Sequence, residues 1–222
     1  VQTCALPISM ITCAEAPAES TAAAIKVILV NDFIFKCLIF KINKKIMEEN
    51  MKLYRPVGLQ ELEKILNFGS EKFPDRQVWQ PILYIVENYG YAEQISTMWN
   101  LKDENSGFSG YILEFTISDD YMKNYDIKQV GDKTHLEYWI PAEDTKKFNN
   151  SLTSKIKIIN AFYGEKYRGL PFDGTVLEGR EPDKQIRELA LLMENSYEKF
   201  EETVKKCKIQ ILPNLIRSEE RR

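Results

Sequence analysis

The chain has 222 residues, with 30 Lys and Arg against 33 Asp and Glu, and a formal net charge of −3 at pH 7. That balance offers no basic field for a nucleic-acid backbone. The only histidine is His135, so a multi-histidine metal site is excluded and a Ser-His-Asp hydrolase would have to use that one residue.

Residues 1–50 differ in character from the rest of the chain. Val1 to Ser9 resembles the in-frame translation of a sequencing-library adapter. Met47, Glu48, Glu49, Asn50 and Met51 are what AUG-GAG-GAA-AAY-AUG encodes, with a GGAGG-like ribosome-binding site ahead of Met51. The expectation is that residues 1–50 are read-through of adapter and untranslated DNA and that the native protein starts at Met51; the alternative is a genuine N-terminal export segment. The same segment holds Cys4, Cys13 and Cys37, leaving Cys207 alone in the remainder. No disulfide can then form within residues 51–222, which points to a reducing, cytoplasmic setting. The apolar run 27–42 is interrupted by Asn31, Asp32 and Lys36 and is too short and too charged to span a bilayer, so no membrane segment is expected.

From residue 51 the chain alternates strand-like and helix-like runs. Residues 52–57 form a short strand candidate. Leu59, Leu62, Ile65 and Leu66 stand at helical spacing over 59–68, and Gly69 is a natural stop. Residues 74–81 lie between prolines and read as a loop, and 82–86 as a buried strand. Ala92, Ile95 and Trp99 share one face of a helix over 89–99, followed by a polar, glycine-bearing loop. The clearest period-two pattern is 110–118, with Tyr111, Leu113, Phe115 and Ile117 on one side and Glu114 and Thr116 on the other. A short strand at 128–130, a turn at Gly131 and Asp132, and a strand at 134–140 come next. Pro141 is expected to open a helix to about Asn150, and 156–163 is a last strand. Together these predict an α+β domain over 51–164, built of small mixed or antiparallel sheets with interleaved helices.

A glycine- and proline-bearing connector, 165–182, leads to 183–222. There Ile186, Leu189, Met193, Tyr197, Phe200, Val204, Cys207 and Ile211 repeat at three- and four-residue steps. This predicts one long amphipathic helix ended by Pro213, its seam either docked on its own domain or paired in a homodimer.

No phosphate-loop, dinucleotide-fingerprint or nucleophile-elbow pattern occurs, which speaks against nucleotide triphosphatases, Rossmann dehydrogenases and serine hydrolases. The chemistry-bearing candidates are few. Arg55 lies inside an apolar strand, where it either faces a cleft or an anion, or points to water from a sheet edge. Glu137 stands among Leu136, Tyr138, Trp139 and Ile140, either as a carboxylate in a cleft or as an outward-facing strand residue. Tyr84, Tyr89, Tyr91, Trp99 and Tyr138 supply aromatic surface, mostly for the core, with one or two free to pack on a flat heterocycle.

Several stretches carry a resemblance: Leu53 to Gly58, Gln80 to Tyr84, Tyr91 to Ile95 with Trp99 and Asn100, and His135 to Glu143. They are similar to a family of small bacterial proteins labelled ADP-ribosylation/crystallin-like. More distantly, the order of elements resembles that of ADP-ribosyltransferases. The resemblance implies NAD as the substrate, no metal, and transfer to an unknown acceptor. It implies Arg55 as the NAD clamp, Glu137 as the catalytic carboxylate, Tyr84 and Tyr91 as stacking residues, and His135 beside them. Where many transferases that modify protein side chains carry Gln or Glu two residues before the glutamate, this chain has His135. The serine-threonine-serine strand of the arginine-clamp class is not seen, since 110–118 offers only Thr116 and Ser118. The alternative is a non-catalytic interaction protein on the same scaffold.

Overall fold

The structure, a computed structural model, describes Lys36 and residues 50–220. The read-through expectation therefore falls almost wholly outside the described residues. Among the described residues there are six strands, β1 (Asn50–Val57), β2 (Ile82–Val86), β3 (Ser109–Ser118), β4 (Ile127–Gln129), β5 (Leu136–Pro141) and β6 (Lys157–Tyr163). They form a single sheet in the order β4-β5-β2-β1-β3-β6, antiparallel throughout. Where small mixed or antiparallel sheets were expected there is one antiparallel sheet, and the α+β class holds.

The sheet is unevenly sewn. β1 pairs with β3 along its whole length, from Asn50 opposite Ser118 to Val57 opposite Tyr111. β2 pairs with β5 from Ile82 opposite Pro141 to Val86 opposite Glu137. Between β1 and β2, however, the one registered pair is Tyr54 with Val86. Extending that register would place Pro56 opposite Tyr84. Proline has no N–H to give to a ladder, so the strands part there.

Two layers of apolar side chains follow from strand alternation. One face carries Leu53, Val57, Leu83, Ile85, Tyr138 and Ile140 against α1 (Leu59–Asn67). In α1 the buried residues are the predicted Leu59, Leu62, Ile65 and Leu66, and the helix ends at Gly69, whose positive φ of 66° favours glycine. The other face carries Val86 and Ile112 against α2 (Tyr89–Met98). Its buried positions are Tyr91, Ala92 and Ser96; the expected inward Trp99 is instead 53% exposed at the helix end. Two short helices, α3 (Asp119–Met122) and α4 (Thr145–Asn150), complete this part. Pro141 closes β5, and a 3-10 turn at Ala142–Asp144 precedes α4, so the helix starts later than expected.

The C-terminal segment corrects the single long helix. α5 (Pro182–Asn195) and α6 (Tyr197–Glu220) meet at Ser196, whose extended backbone (φ −159°, ψ 87°) breaks the helix. Leu189 packs with Cys207 and Ile211 in one buried cluster. On a straight helix, residues 189 and 211 would lie roughly 33 Å apart at 1.5 Å per residue, so the seam has folded onto itself. Met193 and Tyr197 fall outside the cluster, half-exposed or more. Pro213 lies inside α6 rather than ending it, and its carbonyl accepts from the Tyr163 hydroxyl at 2.9 Å.

A buried polar chain ties this hairpin to the sheet. Tyr111 and Tyr167 share a hydroxyl contact, Tyr167 donates to Asn214 at 2.7 Å, and Asn214 donates to Gln185 at 2.6 Å. Each member has its partner, as buried polar groups must. The chain divides into Val1–Glu48 and Glu49–Arg222, and every element named here lies in the second unit. Among the described residues no helix is long and apolar enough to cross a membrane.

The folded seam separates two apolar positions that look equivalent in sequence. Leu189→Ala should cost roughly 2–5 kcal/mol, the usual range for emptying a core site. Met193→Ala should stay within about 0.5 kcal/mol, as exposed substitutions do. Chemical denaturation of both variants checks this; equal losses would mean that the helix is not folded back.

Candidate functional site

A groove of about 1010 Å3 opens where β1 and β2 part. Arg55 reaches it from β1, Tyr84 and Val86 from β2, Glu137 from β5, and Ile95 from α2. The N-terminus of α1 and the loop before β2 supply Gln60, Glu61, Arg76 and Trp79.

Strand alternation sends two of the predicted residues to opposite faces. Arg55 lies between Leu53 and Val57, on the α1 side; Tyr138 and Ile140, on either side of Trp139, are also on the α1 side, so Glu137 turns to the α2 side. They line one groove because the gap between β1 and β2 opens through the sheet. Neither faces water: Arg55 is 5% exposed and Glu137 8%. Nor is Arg55 on an edge strand, since β1 sits between β2 and β3.

Arg55 is heavily committed. Its Nε and Nη2 donate to Glu61 Oε1 and Oε2 at 2.8 and 2.9 Å, a bidentate pair. Nη1 donates to the Tyr84 carbonyl, the acceptor that Pro56 cannot serve. Of the five guanidinium N–H donors, three are spent on holding α1 and β2 at the lips of the groove. Burial works against the Glu61 charge, but Arg55 and then Arg76 outweigh it and lower its pKa.

Glu137 is held by two donors. The Tyr91 hydroxyl donates to Oε1 at 2.8 Å and the Trp139 indole N–H to Oε2 at 2.7 Å. Both donors are placed by local structure. Asn88 caps α2 by accepting from the Tyr91 N–H at 2.8 Å, and its side-chain amide donates to the Thr134 carbonyl. Trp139 is two residues from Glu137 on the same face of β5. Burial first, and then the adjoining carboxylate, push the Tyr91 phenol pKa far up, so it remains a donor.

Tyr91 and His135 stand behind the carboxylate rather than in the groove. Their rings stack at 4.2 Å between centroids. His135 Nδ1 accepts from the Asp132 N–H at 3.3 Å, which puts the ring proton on Nε2, 2.8 Å from Gln94 Oε1. Tyr84 does line the groove, half-buried, with its ring edge-on to Trp139 at 5.6 Å. Among the described residues no group of His, Cys, Asp or Glu is arranged to hold a metal ion.

Sequence reasoning missed Arg76. It sits in the irregular loop before β2, where no periodicity marks it. The loop is nonetheless fixed: Phe73 is buried against Phe115 and Phe148, and Asn149 bonds both its N–H and its carbonyl at 2.8 and 2.9 Å. Gln80 then closes a tight turn on Gln77 at 2.8 Å.

No protein-family model matches the chain, and no curated protein or solved structure matches it either.

The Arg55–Glu61 pair has a pH signature. A carboxylate with a lowered folded pKa stabilises the fold fully above its ordinary value, 4.5, and that gain is lost as pH falls through the folded value. Glu61→Gln should cost roughly 3 kcal/mol or more at neutral pH by stranding a buried guanidinium. The stability gap between wild type and variant, followed by denaturation across the acid range, should close below pH 4.5. Parallel profiles would remove the pair from this role.

Proposed function

We propose that this protein is an NAD-utilising, ADP-ribosyltransferase-like enzyme that cleaves the glycosidic bond of NAD and passes the ADP-ribosyl group to an acceptor. The observation that carries the reading is the convergence of Arg55, Tyr84 and Glu137, from the first, second and fifth strands, on one groove. Those are the elements, in that order, from which the sequence resemblance draws its arginine, aromatic and glutamate. The finer expectation of an ADP-ribosyltransferase-like fold belongs to the same reading. So does the cytoplasmic setting inferred from the lone Cys207.

The groove volume, about 1010 Å3, lies at the upper end of the roughly 300–1,000 Å3 typical of small-molecule sites. That suits a dinucleotide. As nicotinamide leaves, positive charge grows on the ribose ring, and a carboxylate fixed beforehand favours that charge without having to reorganise. Glycosidases meet a related cation with the same group. Tyr91 and Trp139 fix the Glu137 carboxylate by holding one oxygen each. Tyr84 offers its ring to the nicotinamide. Arg55, committed to Glu61 and the Tyr84 carbonyl, fixes the shape of the groove that the ligand enters. His135 acts at one remove, by packing on Tyr91, and so says nothing of the acceptor.

A second reading, a binding protein without chemistry, draws on one observation: the arginine expected to clamp NAD is already paired with Glu61. One experiment separates the two. The full chain incubated with NAD should release nicotinamide, and Glu137→Gln should slow this by roughly 10²–10³-fold, the effect of losing a preorganised electrostatic group. Binding of NAD without any release would favour the second reading. Neither binding nor release would end the proposal.

A further inference from the structure

Two arginines that line the groove, Arg55 and Arg76, share a single carboxylate, Glu61. Glu61 Oε1 receives Arg55 Nε at 2.8 Å and Arg76 Nη1 at 3.4 Å, while Oε2 goes to Arg55 alone. Arg55 is thus well paired, and Arg76 holds only the longer contact. The Arg76 side chain is 4% exposed, yet its Nε is buried with no hydrogen-bond partner among the described residues. A buried guanidinium N–H left unpaired is costly and rare in a native fold. Burial, and then the neighbouring Arg55 charge, lower the Arg76 pKa, so its charge is held at a cost that an added anion would relieve.

The lining also carries Lys64, Asp75, Asp103 and Glu137, so an anion is favoured at the Arg76 corner and not by the groove as a whole. Arg76 lines the groove beside the first turn of α1, and that nine-residue helix starts at Gly58 with no side chain capping it. Gly58 cannot be replaced by a capping residue. A Cβ there would fall 2.4 Å from Ser106 Cα. Ser106 packs on that glycine instead, and its carbonyl takes the Leu59 N–H at 2.9 Å, so what the helix start adds to the Arg76 corner is the positive end of its dipole. Trp79, three residues beyond Arg76 on the same anchored loop, is 82% exposed and also lines the groove. It offers a flat apolar face next to the charged corner.

We propose that Arg76, rather than Arg55, is the anion-binding residue of the groove, and that it takes the phosphate or diphosphate group of a nucleotide whose base packs on Trp79. Arg55 is then the pin that holds the groove open, and Arg76 the residue that meets the ligand. The nucleotide part rests on the function proposed above; the anion site rests on Arg76 itself.

Calorimetric titration of the full chain with ADP, adenosine and inorganic diphosphate tests this, using wild type, Arg76→Gln, Arg76→Lys and Arg55→Lys. Wild type should bind ADP more tightly than either fragment. Arg76→Gln should weaken ADP binding by roughly tenfold or more, the scale of a lost charge-assisted bond. Arg76→Lys should fall between the two, keeping the charge but not the fork. The melting temperature of ligand-free Arg76→Gln should stay close to wild type, whereas Arg55→Lys should lower it clearly. Unchanged ADP affinity in Arg76→Gln would overturn the proposal, as would a melting loss equal to that of Arg55→Lys. Diphosphate binding as tight as that of ADP would overturn the nucleotide part. These are equilibrium measurements, so ADP binding lost in Arg76→Gln keeps the inference even where no nicotinamide is released. Nicotinamide release with ADP binding indifferent to Arg76 would sink the inference and spare the enzyme.

Discussion

One buried ion pair governs the shape of this protein. Arg55 is the only charged side chain facing the α1 layer from the middle of β1, and it would be costly there alone. Glu61, in the first turn of the following helix, neutralises it through two bonds, and the Tyr84 carbonyl takes a third N–H. Because Pro56 follows Arg55, the backbone cannot close the ladder to β2, and the guanidinium bridges the strands in its place. The sheet is held together at its centre by this contact, while backbone register between its two halves is limited to Tyr54 and Val86.

The functional proposal depends on that parting. In a continuous sheet Arg55 and Glu137 would be separated by the backbone, one facing each helix layer. With the gap, a ligand can reach residues from both faces. Each face then brings its own means of fixing a charge. On the α2 side a capped helix and a strand neighbour hold the Glu137 carboxylate through Tyr91 and Trp139. On the α1 side the loop anchored by Phe73 and Asn149 holds Arg76. Both charged groups are placed by secondary structure and by an anchored loop, so little ordering remains to be done when a ligand binds.

What was legible in the sequence was what repeats locally. A period-two run marked β3, and helical spacing marked α1 down to its glycine stop. The candidates Arg55 and Glu137 stood out as charges inside apolar strands. The relations between elements were not legible. Arg55 and Glu61 are six apart, across a strand end and a helix start, where no periodic rule pairs them. The break at Ser196 leaves no trace in the spacing, since Met193, Tyr197 and Phe200 continue the step pattern straight across it. Only the packing of Leu189 on Cys207 and Ile211 reveals the fold-back. Arg76 was hidden in an irregular loop whose rigidity comes from an asparagine far along the chain. Tyr91 was noticed as an aromatic, but its hydroxyl matters more than its ring, and a hydroxyl's partner cannot be read from spacing.

The central claim is that a nucleotide enters the gap between β1 and β2 and meets the Glu137 carboxylate. The Trp139 indole N–H reports on this directly, because it is bonded to that carboxylate and lies edge-on to Tyr84. Its proton resonance, assigned with a Trp139→Phe variant, can be followed as NAD is added to the full chain. A saturable shift of that resonance is the result predicted here; a Trp139 signal unmoved while NAD demonstrably binds elsewhere on the protein would contradict it.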